Sequence, residues 1–155
     1  MAKFKDVEMP GELYYFNTDN HVWSKIEGPN QVRCGIDQFG QKAAGTVAYI
    51  KMKPVGGKSI KGRALGTIEA GKYIGPVRGP VNGTIVEVNQ AVLDTPTLIN
   101  TDSYGEGWIV VIEADNLEED LKDLIHGEED VQKWLETDYK KYEEDGLFAD
   151  KDEKK

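Results

Sequence analysis

The stretch LGTIEAGKYIGPVRGPVNGTIVEV, residues 65–88, places one lysine, Lys72, between two apolar segments. Leu65 and Ile68 come before the lysine, and apolar residues recur from Ile74 onward. This pattern predicts a β-hairpin whose tip presents Lys72. A lysine at a hairpin tip is most often an ordinary solvated residue, so its role has to be decided from the rest of the chain.

The remaining sequence predicts short strands first and helices last. Alternating or unbroken apolar runs predict strands in residues 13–17, 21–26, 31–36, 46–52, 83–89 and 108–114. Asp37 and Gly45 are the expected N-cap and C-cap of a short helix between them. Leucines spaced i, i+4, i+7 and a broad apolar stripe predict two amphipathic helices, in residues 115–125 and 127–142. The fold class is therefore mainly β, a small sandwich or flattened barrel with C-terminal helices packed on it.

The chain of 155 residues is long enough for one self-sufficient domain. We expect residues 1–12 to be a flexible lead-in, residues 13–142 to be the domain, and the charged residues 143–155 to be a disordered tail. No apolar run is long enough to span a membrane, and the N-terminus has no signal-peptide pattern, which predicts a cytoplasmic protein. The single cysteine, Cys34, lies in a predicted strand and is expected to be a buried, unreactive thiol.

The formal net charge of −9 belongs to the C-terminal part of the chain. Residues 113–155 contain 17 acidic and 7 basic residues, whereas residues 1–112 contain 11 and 12. A chain with this charge and no basic stripe is not expected to bind nucleic acid. The acidic end is either a solvated helix face with a tail or a docking surface for a basic partner.

Sequence patterns of common catalytic sites are missing. There is no phosphate-binding loop and no serine in a nucleophile-elbow context. The histidines, His21 and His126, lack the spacing of metal ligands. These absences predict a non-catalytic protein whose one conspicuous residue is Lys72.

Residues 55–89, VGGKSIKGRALGTIEAGKYIGPVRGPVNGTIVEVN, resemble the lipoyl/biotinyl carrier family. NHVWSKIEG (20–28), GIDQFGQKAAGTVAYI (35–50) and TPTLINTDSYGEGWIVVI (95–112) are similar to segments of glycine cleavage H proteins, in the same order. The resemblance covers about residues 13–140. It implies a barrel-sandwich hybrid with helices at the C-terminus.

The resemblance implies that lipoate is attached to Lys72 through an amide bond. Biotin carriers usually flank their lysine with methionines, whereas Gly71 and Tyr73 stand here. The other residues expected around the arm are Glu69, Ala70, Gly75, Arg78 and His21. We also expect Gly71 and Gly75 to adopt the positive φ angles that only glycine tolerates well. A lipoate ligase or the lipoyl-assembly enzymes would modify the lysine.

Several positions depart from the usual H-protein pattern. Val22 replaces an acidic residue, Gly75 and Pro76 replace hydroxyl and acidic residues, and Arg78 adds a positive charge. These changes favour an anionic sulfur cargo, as in the lipoate-binding proteins of a heterodisulfide-reductase-like sulfur-oxidation complex. The alternative is the H protein of the glycine cleavage system, which carries an aminomethyl group between the P, T and L proteins. A second alternative is an unlipoylated interaction or regulatory module of the same fold.

Overall fold

The computed structural model describes residues 2–17 and 21–146, so the predicted turn at residues 18–20 lies outside the described residues. The strands are β1 Ala2–Phe4, β2 Val7–Met9, β3 Tyr14–Phe16, β4 Val22–Ile26, β5 Gln31–Ile36, β6 Val47–Met52, β7 Lys58–Ser59, β8 Ala64–Ala70, β9 Ile74–Arg78, β10 Gly83–Val88, β11 Val110–Ala114 and β12 Ile125–His126. The helices are α1 Gln38–Ala44, α2 Gln90–Asp94, α3 Leu98–Thr101, α4 Leu117–Leu121 and α5 Glu128–Glu144.

Two antiparallel sheets form the sandwich. The larger sheet has the strand order β12-β3-β4-β5-β11-β10-β7, and the smaller one has the order β6-β8-β9. Buried aliphatic residues from both sheets, such as Ile112 on β11 and Ile68 on β8, share one core between them. The predicted sandwich of short strands is confirmed, and the hairpin that carries Lys72 belongs to its smaller sheet.

A second core lies under helix α5, on the opposite face of the larger sheet. Adjacent residues of a strand point to opposite faces, so Val22 enters the first core and Trp23 the second. Val131, Leu135 and Tyr139 of α5 are buried against Trp23. The apolar stripe predicted for this helix is therefore core packing.

Residues 2–9 form a β-hairpin rather than the flexible lead-in expected for residues 1–12. Strands β1 and β2 pair antiparallel, and Val7 and Met9 are buried in the core under α5. The side-chain amide of Gln132 on α5 exchanges two hydrogen bonds with the backbone of Lys3, each 2.8 Å long. The hairpin is ordered because its apolar residues pack into the core under α5, which the strands of the larger sheet cover on one side only.

The C-terminal helix extends past its predicted end, because α5 includes Glu143 and Glu144. The rest of the predicted tail, residues 147–155, lies outside the described residues. Among the residues that the structure describes, no helix is both long and apolar enough to cross a membrane. Cys34 is buried as expected, and burial raises the pKa of its thiol to about 12.

We expect Met9→Ala to lower the free energy of unfolding by about 2–5 kcal/mol, the usual cost of emptying a core methionine site. The matched control is Val55→Ala, because Val55 is exposed in a loop and should change stability by about 0.5 kcal/mol or less. Urea unfolding at pH 7 measures both. Equal, small effects of the two substitutions would mean that residues 2–9 do not pack as described.

Candidate functional site

Lys72 lies at the hairpin tip, which we define as residues 70–73. Strands β8 and β9 pair up to Glu69 and Ile74, and the Ala70 N–H donates to the carbonyl oxygen of Tyr73 at 2.8 Å. The side chain of Lys72 is exposed. The hairpin predicted from the sequence is confirmed, with the lysine at its turn.

Backbone hydrogen bonds attach the hairpin tip to residues 44–47, the segment that joins the end of helix α1 to the start of strand β6. The Lys72 N–H donates to the carbonyl oxygen of Ala44 at 2.7 Å, and the Gly71 N–H donates to that of Thr46 at 3.0 Å. A turn of this kind is usually bonded only to its own strands. Here Gly71 and Lys72 are also hydrogen-bonded to another part of the chain. These bonds fix the position of the Lys72 backbone, from which its side chain extends.

Gly45 lies beside the lysine and has a backbone conformation that requires glycine. Its φ of 84° and ψ of −164° lie in a region that is essentially restricted to glycine. A Cβ at Gly45 would lie 3.5 Å from both the Cε and the backbone nitrogen of Lys72. The stem of Lys72 therefore passes close to Gly45, and the residue is exposed to solvent at the tip.

The expectation that Gly71 and Gly75 have positive φ angles is wrong, because neither is among the glycines with positive φ. A Cβ on Gly71 would have only one neighbour within 4 Å, the Thr46 nitrogen at 4.0 Å. A Cβ on Gly75 would fall 2.5 Å from the Tyr73 hydroxyl oxygen. A side chain at position 75 would thus clash with the ring of Tyr73, which folds over Gly75. The Tyr73 hydroxyl donates to the Pro76 carbonyl oxygen at 3.3 Å.

The expected site residues from Glu69 to Gly75 lie at or beside the hairpin tip, and Arg78 does not. Glu69 is exposed on the strand beside the tip, while Ala70 and Tyr73 close the turn. Arg78 lies at the other end of the hairpin, where it pairs with Ala64, and its Nη1 donates to the Gly62 carbonyl oxygen at 3.0 Å. The guanidinium is thus engaged away from the lysine, because Ile74 and Arg78 are the first and last residues of the extended strand β9.

His21 belongs to a different cluster, beneath helix α5. It is 2 % exposed and lies between the rings of Phe39 and Trp134, with centroid distances of 4.3 and 4.2 Å. Its Nδ1 lies 3.2 Å from the Oδ2 of Asp37, and its Nε2 lies 3.1 Å from the Oδ2 of Asp138. An arm on Lys72 cannot contact a histidine that is enclosed in this way.

The carboxylates of this cluster favour the protonated imidazole. Burial lowers the pKa of His21, but Asp37 and Asp138 outweigh it and raise that pKa to about 9. Asp37 also caps helix α1, since its Oδ1 accepts from the Gly40 N–H at 2.7 Å. The protonated His21 therefore ties α1 to Asp138 on α5.

Sequence reasoning missed the docking segment at residues 44–47. Gly45 was identified only as the end of a helix, and no local pattern indicates that Ala44 and Thr46 receive the hairpin tip. These contacts join positions more than 20 residues apart, so they depend on how the smaller sheet folds back on α1. The one local indication of this docking segment was Gly45, a glycine that ends a helix directly before a strand.

The fold and the site define the class of protein, a barrel-sandwich carrier with one exposed lysine on a hairpin tip. The model of the glycine cleavage H-protein family matches residues 13–138. A solved glycine cleavage system H protein from Mycobacterium marinum is 29 % identical, with a TM-score of 0.69, over 81 % of this chain and 98 % of that one.

Curated relatives agree with this match. Glycine cleavage system H protein 2 of Aquifex aeolicus is 42 % identical, over 88 % of this chain and 84 % of its own length. A probable glycine cleavage system H protein 2 of Saccharolobus solfataricus is 43 % identical, over 88 % of this chain and 92 % of its own length. The chain therefore belongs to the glycine cleavage H-protein family, whose members are lipoyl carriers rather than enzymes.

We expect Gly45→Ala to destabilise the protein by about 1–3 kcal/mol, because alanine is strained at this backbone conformation. Gly71→Ala should change the free energy of unfolding by about 0.5 kcal/mol or less, since its backbone is unstrained and its surroundings are open. Urea unfolding of the two variants makes the comparison. A larger loss for Gly71→Ala than for Gly45→Ala would contradict the geometry of the tip.

Stability should also depend on the protonation of His21. A pKa raised from 6.5 to about 9 contributes stability that is complete below pH 6.5 and is lost as the pH rises through 9. The free energy of unfolding should fall by on the order of 3 kcal/mol over this range. Asp138→Asn removes one carboxylate and should reduce the fall, whereas Asp130→Asn on the exposed face of the same helix should not. Parallel pH profiles for the wild type and Asp138→Asn would refute the ion pair.

Proposed function

We propose that Lys72 carries lipoate in amide linkage and that the chain is a non-catalytic carrier. The observation that supports this most directly is the position of Lys72, exposed at a hairpin tip that is bonded to a second segment of the chain. Membership of the H-protein family supports the choice of lipoate. An interaction module without lipoate would not require this lysine to be both exposed and anchored.

The residues of the tip hold the attachment point in place. When bound, lipoate supplies a dithiolane at the end of a long arm, which accepts electrons or a group and passes them on. Forming the amide removes the positive charge of the Lys72 amine. The hydrogen bonds from Gly71 and Lys72 to the 44–47 segment keep the base of the arm still, so that motion is confined to the side chain and its extension.

We propose the aminomethyl group of the glycine cleavage reaction as the cargo. The family match and the names of the relatives support this choice over the sulfur cargo that the sequence departures favoured. The partners would then be the P, T and L proteins, together with the enzymes that attach or assemble the lipoyl group. In addition, the carboxylate of Glu69 lies beside the tip. A negative charge at this place would attract a cationic cargo.

A sulfur cargo is the second candidate, and one sequence feature still favours it. Gly75 and Pro76 supply neither a hydroxyl nor a carboxylate next to the lysine. The other two departures no longer support this candidate, because Val22 is buried in the core between the two sheets and Arg78 lies at the far end of the hairpin. The relatives include H proteins 2 and 3 of one Aquifex aeolicus strain, so a single organism can contain several chains of this family.

The exchange of the glycine carboxyl carbon with bicarbonate distinguishes the two cargoes. The lipoylated chain, mixed with glycine decarboxylase and aminomethyltransferase, should support this exchange at a rate comparable with that of a glycine cleavage H protein. Lys72→Arg should abolish the exchange because it removes the acylated amine. Lys51→Arg, an exposed lysine on the neighbouring strand, is the matched control and should leave the rate unchanged.

A fully lipoylated chain that fails to support exchange would contradict the glycine-cleavage proposal. Sulfur adducts on the reduced arm of such a chain, detected by intact mass, would then favour the second candidate. A chain that no lipoate ligase modifies would contradict both and leave the interaction module.

A further inference from the structure

We propose that Asn100 is the positioning residue for the lipoyl lysine, a role that rests on the function proposed for Lys72. Asn100 lies on helix α3, and the three hydrogen bonds of its side chain go to Gln41, Gly45 and Val47 rather than to the hairpin tip. Instead, its carboxamide is bonded to the 44–47 segment onto which the tip docks. Its action on Lys72 is thus indirect, through the backbone of that segment.

The carboxamide of Asn100 makes three hydrogen bonds at one end of the side chain. Its Oδ1 accepts from the Val47 N–H at 2.9 Å. Its Nδ2 donates to the Gly45 carbonyl oxygen at 2.9 Å and to the Oε1 of Gln41 at 3.0 Å. The backbone partners fix the orientation of the amide, because Val47 offers only a donor and Gly45 only an acceptor.

The 44–47 segment is therefore bonded on two sides. The carbonyl oxygens of Ala44 and Thr46 accept from the hairpin tip, whereas the groups between and after them, the Gly45 carbonyl and the Val47 N–H, are bonded to Asn100. The Thr46 carbonyl and the Val47 N–H belong to one trans peptide group and point in opposite directions, so the two sets of bonds do not compete. Asn100 holds in place the strip of backbone that holds Lys72.

Helix α3 is a firm support for this contact. Ile99, the residue before Asn100, is fully buried in the core between the two sheets. The packing of Ile99 in the core therefore fixes the position of the Asn100 carboxamide. The segment that the carboxamide binds contains a glycine, the residue type with the most backbone freedom. Without this bond, the segment beneath the lysine would lose its side-chain support.

No other common side chain of this size provides the same bonds. A carboxylate at position 100 could accept from Val47 N–H but would face the Gly45 carbonyl and the Gln41 amide oxygen with a second acceptor. Asn100→Asp therefore keeps the shape of the side chain and removes the two donated bonds. The expected result is a loosened 44–47 segment and, with it, a loosened hairpin tip.

The first readout is the rate at which backbone amides exchange with deuterium in the unmodified chain. In Asn100→Asp, exchange at the amides of Gly71 and Lys72 should accelerate about tenfold relative to the amide of Ile112 in the core. The second readout is lipoylation of Lys72 by a lipoate ligase. Its kcat/KM should fall about tenfold, the order of effect that a displaced reacting group produces.

Asn89→Asp is the matched control. Asn89 also makes three hydrogen bonds with its carboxamide, from the Ala91 N–H and to the carbonyl oxygens of Glu106 and Trp108, and none of the three reaches the hairpin tip or the 44–47 segment. It should lower stability to a similar extent and leave both readouts unchanged. Asn100→Ser, with a short neutral hydroxyl, serves as a second variant if Asn100→Asp does not fold.

Equal effects of the Asn100 and Asn89 substitutions on the two readouts, whether large or absent, would overturn the proposal. If the wild-type chain is not lipoylated at all, the function proposed for Lys72 fails. The exchange of the Gly71 and Lys72 amides then still decides whether Asn100 positions the tip. The failure of one proposal is thus distinguishable from the failure of the other.

Discussion

The hydrogen bond from the Lys72 N–H to the Ala44 carbonyl oxygen is the contact on which the site depends. A two-stranded hairpin in isolation is marginally stable, and its turn is the part that moves most. This bond and its neighbour from Gly71 convert the turn into a point fixed between two elements of the fold. The lipoyl arm proposed for Lys72 would then start from a position that these two hydrogen bonds restrain.

Helix α1 connects this site to the rest of the molecule. At its first turn, Asp37 caps the helix and faces His21, which is held from the other side by Asp138 of α5. At its last turn, the helix ends in the segment that receives Lys72. The C-terminal helix therefore supports the lysine hairpin through α1, although it lies on the opposite face of the larger sheet. The histidine that the resemblance placed near the arm belongs instead to the buried contact between α1 and α5.

Local patterns predicted those parts of the structure that depend on neighbouring residues. The hairpin at Lys72, the caps Asp37 and Gly45 and the apolar stripe of α5 all follow from spacing or from a single residue type. Contacts between distant residues could not be predicted. The two strands in residues 2–9 alternate apolar and polar residues, but three residues each are too few to predict a strand, and the hairpin is held by its packing against α5. The resemblance grouped Arg78 and His21 around the arm by their place in the motif, whereas the pairing of strands and the burial of side chains separate them from it.

Peptide mass mapping of the chain, purified from cells that make and attach lipoate, tests the central claim most directly. The account predicts that the lipoyl mass occurs on the peptide that contains Lys72 and on no other lysine peptide, including those that contain the exposed residues Lys51 and Lys58. Modification of any other lysine, or an unmodified chain recovered from cells whose other lipoyl proteins are fully modified, would contradict it.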